Sequence, residues 1–240
     1  MQPFIQITLS QTNCYLLKAR QGYLMVDCGR EGDKRRLLRK LRLLEIPVTS
    51  IRWLLLTHHH SDHCGLLHYL ISVNPDIRVI MSRTCADYLE TGSHFHPATE
   101  MYANTALQKA FSLFDLMGGY LSDTFIPYLR REGDFILYDE NAALPDPVGI
   151  SGSLLHTPGH TEDSISLITD GDAFVGDAAR NMLNFLGSPY EPILMYNRTF
   201  CIKSWSKLLS IGVERIHPAH GQCFEIKHLQ NKLIRCHQFG

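Results

Sequence analysis

The sequence of 240 residues lacks long hydrophobic runs, because no stretch approaches the ~18 apolar residues that a membrane span needs. Its first residues, MQPFIQITLSQTNCYLL, have neither the basic segment nor the sustained apolar segment of a secretory signal. The seven cysteines form an odd set without a C-x-x-C pair, which favours reduced, mostly buried thiols over a disulfide framework. We therefore expect a soluble cytoplasmic protein that has no membrane partner.

An excess of charge is also missing, since 23 Lys and Arg residues stand against 24 Asp and Glu residues. The one dense basic run, DKRRLLRKLR at residues 33–42, is spaced like the solvated face of an amphipathic helix. A chain without a basic stripe can neutralise few phosphates of a nucleic acid. We therefore expect a small-molecule substrate and no nucleic-acid partner.

The order of apolar patterns predicts an α/β fold, and 45% apolar residues can fill a substantial core. Short strand-like runs alternate with helix-like runs in the first third of the chain. A helix-periodic, aromatic-rich block follows at about 84–130, and strand-like runs return from about residue 134. No repeat, low-complexity tract or Gly/Ser linker marks a boundary. We predict a single domain over residues 1–240, with the block at about 84–130 as a helical insertion.

The segment LLLTHHHSDHCG, residues 54–65, places four histidines and an aspartate within six consecutive positions, closely after a leucine run. In an extended segment alternate side chains point the same way, so His58 and His60 can converge while His59 faces the other side. Asp62 and His63 follow where the chain turns into a helix, and they can reach a second point nearby. The alternative is a polar turn of solvated histidines, which the density of imidazole after a buried strand disfavours.

Three further segments supply more donors. HTPGHTEDS puts His160 on a Pro-Gly turn between two strands, FVGDAA puts Asp177 at a strand end, and RIHPAHGQ puts His220 in a second Pro-containing loop. Imidazole and carboxylate without thiolate suit Zn²⁺, with Fe²⁺ or Mn²⁺ as substitutes. The sequence thus offers enough nitrogen and oxygen ligands for two metal ions.

The ordered motifs H-x-H-x-D-H, T-P-G-H-T, G-D and H-P-A-H-G, within residues 27–221, resemble the metallo-β-lactamase fold superfamily, which includes glyoxalase II and lactonases. The resemblance implies a four-layer αβ/βα sandwich with loops at one edge that hold two Zn²⁺ ions. It implies one metal bound by His58, His60 and His160, the other by Asp62, His63 and His220, and Asp177 as the bridging ligand.

The resemblance also implies a reaction: hydrolysis of a small ester, thioester or lactone by a metal-bridging hydroxide, which is available near neutral pH when metal binding lowers the pKa of water. Asp62 and Asp177 are the catalytic carboxylates in this interpretation, with Asp62 orienting the water or accepting its proton. Two alternatives remain open at this point. One is a mononuclear iron oxygenase of the persulfide dioxygenase kind, and the other is a phosphodiesterase.

Two departures from better-known relatives narrow the substrate. Arg180 stands where lactonases of acyl-homoserine lactones often carry a tyrosine, which disfavours that activity. About twenty residues follow His220, whereas glyoxalase II enzymes continue into a helical glutathione-binding domain. A thioester of glutathione is therefore not the first expectation.

Substrate contacts are predicted in two places. Arg180 and Asn181 follow the bridging aspartate closely, and the block at about 84–130 supplies rings that can roof an apolar pocket. The residues predicted to contact the substrate are Arg180, Asn181, His94, His96, Phe114 and Tyr120. Gly118 and Gly119 are predicted as a flexible break in this roof. The alternatives are that these side chains form the core of the insertion or a homodimer contact.

Overall fold

The computed structural model describes residues 4–117 and 123–238, and two mixed six-stranded sheets form the centre of this part of the chain. In spatial order, the first sheet consists of β1 (Phe4–Thr8), β2 (Asn13–Lys18), β3 (Tyr23–Val26), β4 (Ile51–Leu55), β5 (Arg78–Ser82) and β7 (Phe135–Leu137). The second consists of β14 (Phe224–Glu225), β13 (Arg215–Pro218), β11 (Asp172–Gly176), β10 (Ile165–Thr169), β9 (Ser153–His156) and β8 (Asn141–Ala143). A separate antiparallel pair joins β6 (Met101–Tyr102) to β12 (Leu194–Met195).

The helices lie in the connections between these strands. They are α1 (Lys34–Leu43), α2 (Ser61–Cys64), α3 (Leu67–Val73), α4 (Arg83–Thr91), α5 (Thr105–Leu116), α6 (Arg198–Ser210) and α7 (Lys227–Gln238). Two of them begin at a side-chain cap, since Ser82 accepts a hydrogen bond from the backbone N–H of Cys85 and Asn197 accepts one from Phe200. No helix in the described ranges is both long enough and apolar enough to cross a bilayer.

Alternation along the strands divides the apolar side chains among three cores. Along β2, Leu17 enters the core between the two sheets, whereas Leu16 enters the outer core of the first sheet together with α1, α3 and α4. Along β11, Phe174 faces the core between the sheets, and Val175 faces the outer core under α6 and α7. Helices therefore cover the outer face of each sheet, and the predicted four-layer αβ/βα sandwich is confirmed.

The block at about 84–130 differs from the prediction in two respects. Its first segment, α4, is part of the outer core of the first sheet, because Cys85, Ala86 and Leu89 are fully buried there. The second helix, α5, ends at Leu116, and residues 123–134 contain no helix. The predicted flexible break at Gly118 and Gly119 lies outside the described residues.

Strand ends bring the predicted ligands to one edge of the sandwich. Residues 58–63 follow β4, which is parallel to β3, and Asp177 and His220 follow β11 and β13, which are parallel to each other. His160 lies in the connection between the antiparallel strands β9 and β10. Because the carboxyl ends of parallel strands share an edge, loops that are distant in sequence meet here.

Candidate metal centre

Three histidine nitrogens converge at the first candidate site, which we call group A: Nε2 of His58, Nδ1 of His60 and Nε2 of His160. The Nδ1 atom of His60 lies 3.1 Å from Nε2 of His58 and 3.0 Å from Nε2 of His160. In a tetrahedral Zn²⁺ site with Zn–N bonds near 2.0–2.1 Å, neighbouring ligand atoms are separated by about 3.3 Å. Group A is therefore able to hold a divalent metal ion.

In His58 and His160, the Nδ1 atom points away from group A and contacts an oxygen atom of the protein. These contacts direct Nε2 of each ring into group A. Nδ1 of His160 donates to the backbone carbonyl of Leu194 at 2.7 Å, so Nε2 carries the free lone pair. Nδ1 of His58 lies 3.1 Å from the hydroxyl of Thr57. The turn before His160 needs glycine, because Gly159 has φ +144° and a Cβ there would lie 2.5 Å from the backbone nitrogen of Cys201.

A second set of donors, group B, contains Nε2 of His63, Nε2 of His220, Oδ2 of Asp62 and Oδ1 of Asp177. Nε2 of His220 lies 3.3 Å from both carboxylate oxygens, and Nε2 of His63 lies 3.5 Å from Oδ1 of Asp177 and 3.7 Å from Oδ2 of Asp62. The structure thus brings Asp62, His63, His220 and Asp177 together, as the sequence motifs predicted.

Hydrogen bonds to residues outside group B also orient its two histidines. Nδ1 of His63 donates to Oδ2 of Asp27 at 2.8 Å, and Nδ1 of His220 donates to the backbone carbonyl of Gln11 at 2.9 Å. Asp27 has a positive φ of 55° and also accepts hydrogen bonds from the backbone N–H and the hydroxyl of Thr57. Asp27, which directly follows β3, therefore orients a ligand on the loop after β4.

Asp177 lies between the two groups. Its Oδ1 faces His63 and His220 of group B, and its Oδ2 lies 3.6 Å from Nε2 of His160 in group A. One carboxylate therefore presents one oxygen to each group, which is the arrangement of a bridging ligand.

Two buried atoms at this point lack hydrogen-bond partners among the described residues. They are Nε2 of His63 and Oδ1 of Asp177, which face each other across 3.5 Å. Buried polar atoms are nearly always satisfied, because an unsatisfied one costs about 1–3 kcal/mol. A cation between them satisfies both, and the N/O donor set suits Zn²⁺, Fe²⁺ or Mn²⁺. The residues present therefore fit a metal centre.

The two groups differ in their protonation without metal. Burial and neighbouring histidines lower the pKa values of His58 and His60 well below the ordinary value. Burial also acts to lower the pKa of His63, but the adjacent carboxylates outweigh it and raise that pKa to about 9. The pKa of His220 is raised well above its ordinary value by the same balance. Asp177 has its pKa lowered to about 2, because nearby histidines outweigh the effect of burial.

His59 faces away from both groups and contacts Asp163. The backbone N–H and Nδ1 of His59 lie 2.9 and 3.0 Å from the two carboxylate oxygens of Asp163, and its Nε2 accepts a hydrogen bond from the backbone N–H of Phe95. Sequence reasoning placed His59 on the opposite side but did not identify Asp163. The available signal was its position three residues after His160, in HTEDS.

His94 packs behind the ligand His60, with ring centroids 4.5 Å apart, and its Nε2 accepts a hydrogen bond from the backbone N–H of Ser61. Burial lowers the pKa of His94 to about 4, so the ring is neutral near pH 7. A neutral ring that accepts at Nε2 keeps its proton on Nδ1. His94 therefore faces Asp123 as a donor and is not a metal ligand there, although His94, His96 and Asp123 lie within ligand distance of one another.

Arg180 and Asn181, which were also predicted to contact the substrate, lie in the loop after Asp177. Arg180 is 2% exposed, and its guanidinium donates to the backbone carbonyls of Met182 and Ser188. It supports the loop after Asp177, and the substrate contact predicted for Arg180 stays a prediction. Asn181 also supports this region, since its backbone N–H donates to the carbonyl of His220.

The predicted contacts in the insertion also fall in different environments. His96 is half-exposed and lies 3.1 Å from a carboxylate oxygen of Glu100. Phe114 lies on α5 with its side chain exposed, and its ring centroid lies 6.4 Å from that of Phe111 in the same helix. Tyr120 lies outside the described residues, so its predicted role stays a prediction.

A small, open hollow lies beside group A. His160 of group A forms part of its lining, so the hollow borders the candidate metal site. The remaining wall comes mainly from α4, the loop after it and the β9–β10 connection; the principal side chains are His59, Tyr88, Phe95, Glu100, Glu162 and Tyr196.

Comparison with known proteins identifies relatives over most of the chain. The family model described as the metallo-beta-lactamase superfamily matches residues 7–220. A Drosophila melanogaster protein called beta-lactamase-like protein 2 homolog is 26% identical over 224 residues, which cover 91% of this chain and 61% of the relative. A lactamase-like protein of Pestalotiopsis microspora is 25% identical over 233 residues, which cover 95% of this chain and 54% of the relative. The chain therefore spans less than two thirds of the length of both relatives.

Solved structures share the fold. A metallo-beta-lactamase family protein from Thermus thermophilus aligns with a TM-score of 0.68 at 19% identity, and the alignment covers 99% of this chain and 80% of that chain. At this identity the likeness concerns the fold, and the arrangement of groups A and B must carry any functional argument.

Proposed function

The chain belongs to the metallo-β-lactamase superfamily, and from this membership and the paired donor groups we propose that it is a dinuclear, metal-dependent hydrolase of a small ester, thioester or lactone. The observation that carries the proposal is the pair of buried atoms, Nε2 of His63 and Oδ1 of Asp177, that face each other without hydrogen-bond partners in the described part of the chain. Group A supplies a separate set of three nitrogens, and Asp177 has an oxygen toward each group.

Two divalent ions, when bound, would supply a water of lowered pKa and would polarise the carbonyl group of the substrate. The protein's own contribution is to orient the ligands and to handle the proton. Asp62 carries a carboxylate at group B, with Oδ2 near the hydroxyl of Thr12 at 3.4 Å and His220 at 3.3 Å. We propose that Asp62 holds a water in the cleft and accepts its proton, the role that was expected for it from the sequence.

A covalent acyl-enzyme is not required. Cys64, which directly follows His63, and Cys28 are both buried, and they donate to the backbone carbonyls of His59 and His63, respectively. Burial raises the pKa of both thiols, so neither is a thiolate near pH 7. In the proposed reaction, the water oxygen bonds to the carbonyl carbon, the bond to the alcohol or thiol breaks, and the leaving group takes up a proton.

The alternatives from the sequence predict different properties. A mononuclear iron oxygenase needs one metal ion, whereas group B offers a second set of four donor atoms. A phosphodiesterase can use the same two-metal geometry, but the hollow next to group A carries glutamates that disfavour an anionic substrate. Ester hydrolysis is therefore the first reaction to test.

The test is a single turnover of a chromogenic ester in ¹⁸O-labelled water by the metal-loaded protein. We expect one labelled oxygen in the carboxylate product, no label on the protein and no burst of the leaving group. His228→Gln, which alters a histidine outside both groups, should react like the wild type, and Asp177→Asn should lose at least about 10²-fold in kcat/KM. Oxygen derived from O₂, or turnover of a phosphodiester alone, would replace the proposal with one of the alternatives.

A further inference from the structure

The hollow beside group A has an aromatic wall. The rings of Tyr88 and Phe95 stack with centroids 5.1 Å apart and planes 12° from parallel, and Tyr196 adds a third ring. Phe95 is 45% exposed, although the preceding residue, His94, packs against the candidate ligand His60. A ring that remains exposed at the edge of a hollow gains by contact with an apolar or cationic group.

The charge in the hollow is of one sign. Among the described residues that line it, the charged side chains are Glu100 and Glu162, and neither Lys nor Arg is present. The hydroxyl of Tyr88 donates to Glu162, and Glu100 lies beside half-exposed His96.

The aromatic wall is fixed to the ligand loop by two reciprocal hydrogen bonds. The backbone N–H of Phe95 donates to Nε2 of His59 at 3.1 Å, and the backbone N–H of Ser61 donates to Nε2 of His94 at 2.7 Å. The loop that carries Phe95 is therefore tied at two points to the segment that carries group A. A molecule held against Phe95 lies in a defined position relative to that site.

We propose that the hollow is the subsite for the part of the substrate remote from the reacting carbonyl, and that it selects a cationic group on an apolar or aromatic framework. The inference rests on the proposed hydrolase function. Tyr88, Phe95 and Tyr196 contact the apolar framework and the face of the cation, and Glu100 and Glu162 neutralise its charge. The same carboxylates repel sulfonate, carboxylate or phosphate groups at this position.

The kinetic test uses three p-nitrophenyl esters whose acyl chains have one length and end in trimethylammonium, tert-butyl or sulfonate. The first two ends have the same shape and differ in charge. We expect kcat/KM to fall in the order ammonium, tert-butyl, sulfonate. Glu100→Gln and Glu162→Gln should each reduce the ammonium preference by about tenfold, an effect equivalent to about 1.4 kcal/mol. Glu225→Gln, which removes an exposed carboxylate paired with Lys227, should keep the wild-type preference.

Binding provides a readout that does not depend on turnover. Calorimetry with the holoprotein should show that 3-phenylpropyl-trimethylammonium binds more tightly than 3-phenyl-1-propanol, and that both glutamate variants weaken only the cation. The subsite proposal would be overturned if the three esters were hydrolysed at equal rates and the cation and the alcohol bound equally well. Retained cation binding without hydrolysis of any ester would instead reject the hydrolase and leave the cation site in place.

Discussion

At the scale of single residues, the candidate centre depends on atoms that do not contact metal. His63, His160 and His220 each use Nδ1 as a donor to an oxygen of the protein, which leaves Nε2 free as the ligand atom. A neutral imidazole has one donor and one acceptor nitrogen, so these contacts select the tautomer that can bind. The oxygen partners are therefore as much a part of the site as the rings.

Asp27 offers the sharpest test of this point. In Asp27→Asn, the amide oxygen can still accept from the backbone N–H of Thr57, which turns the amide NH₂ toward Nδ1 of His63. His63 would then carry its proton on Nε2 and lose its free ligand atom. We expect metal affinity at group B to fall by about 10–100-fold, with group A changed much less. Competition with a chelating dye measures the metal affinities of both groups, and His228→Gln is the control. An equal loss of affinity at groups A and B would contradict the tautomer argument.

The protonation states predict different pH dependences for the two groups. His58 and His60 are neutral near pH 7, whereas the pKa of His63 is raised to about 9 by the neighbouring carboxylates. A metal ion entering group B must therefore displace protons, but one entering group A displaces few. The affinity of group B should rise as pH increases toward 9, and that of group A should change little above pH 7.

Calorimetry in buffers of different ionisation enthalpy counts the protons released with each equivalent of metal. We expect almost none with the first equivalent and between one and two with the second, since His63 and His220 both have raised pKa values. The same count for both equivalents would contradict the assignment of distinct protonation states.

At the scale of secondary structure, the parallel pair β11 and β13 supports the site from its opposite end. Asp172 at the start of β11 is aligned with Arg215 of β13, accepts two hydrogen bonds from its guanidinium, and lies 2.7 Å from Nε2 of His217. The other ends of these strands lead to Asp177 and His220. The alignment that Asp172 stabilises is therefore the one that brings a bridging and a terminal ligand together.

Asp172→Asn tests this support. Burial acts to raise the pKa of Asp172, but the hydrogen bonds from Arg215 and His217 lower it below its ordinary value. A lowered pKa in the folded state stabilises the protein above the unfolded pKa of about 4, and the contribution disappears as pH falls through the folded value. We expect a loss of about 1–2 kcal/mol in unfolding free energy at pH 7, because Arg215 is half-exposed and solvent screens the pair.

Urea unfolding at pH 7 and pH 3 measures the unfolding free energies of the wild type and Asp172→Asn. The difference between these two free energies should be smaller at pH 3 than at pH 7. Asp170→Asn is the matched control, since Asp170 lies exposed in the preceding turn. A gap that stays the same at both pH values would show that the carboxylate charge does not contribute.

The elements that sequence patterns predicted are those with enough residues to show a period. The strand-like runs predicted in the first third of the chain and again from about residue 134 include strands of four to six residues such as β2, β3 and β10. The strands β6, β8, β12 and β14 have two or three residues each, too few to show alternation. The helical pattern predicted up to residue 130 fails where Tyr128 and Arg131 form hydrogen bonds with Asp134 in an irregular segment around Pro127.

At the scale of the whole molecule, the site is a product of contacts between distant segments. The resemblance to the metallo-β-lactamase superfamily implied the seven donor residues, and alternation along an extended segment predicted that His58 and His60 converge. The sequence did not predict the partner of His59, which lies 104 positions away, nor the burial of Arg180 under the loop at residues 182–191. The contact of His59 and the burial of Arg180 both depend on how distant loops pack together. The local sequence pattern contains no information about this packing.

The most direct test of the central claim is the number of metal ions per active chain. Native mass spectrometry of the metal-titrated protein, with ester hydrolysis measured at each point, gives occupancy and rate together. The dinuclear account predicts that activity rises with the second equivalent and reaches its maximum at two ions per chain, and that Asp177→Asn weakens both steps. Full ester hydrolysis at one ion per chain, or an Asp177→Asn variant that fills both sites normally, would contradict it.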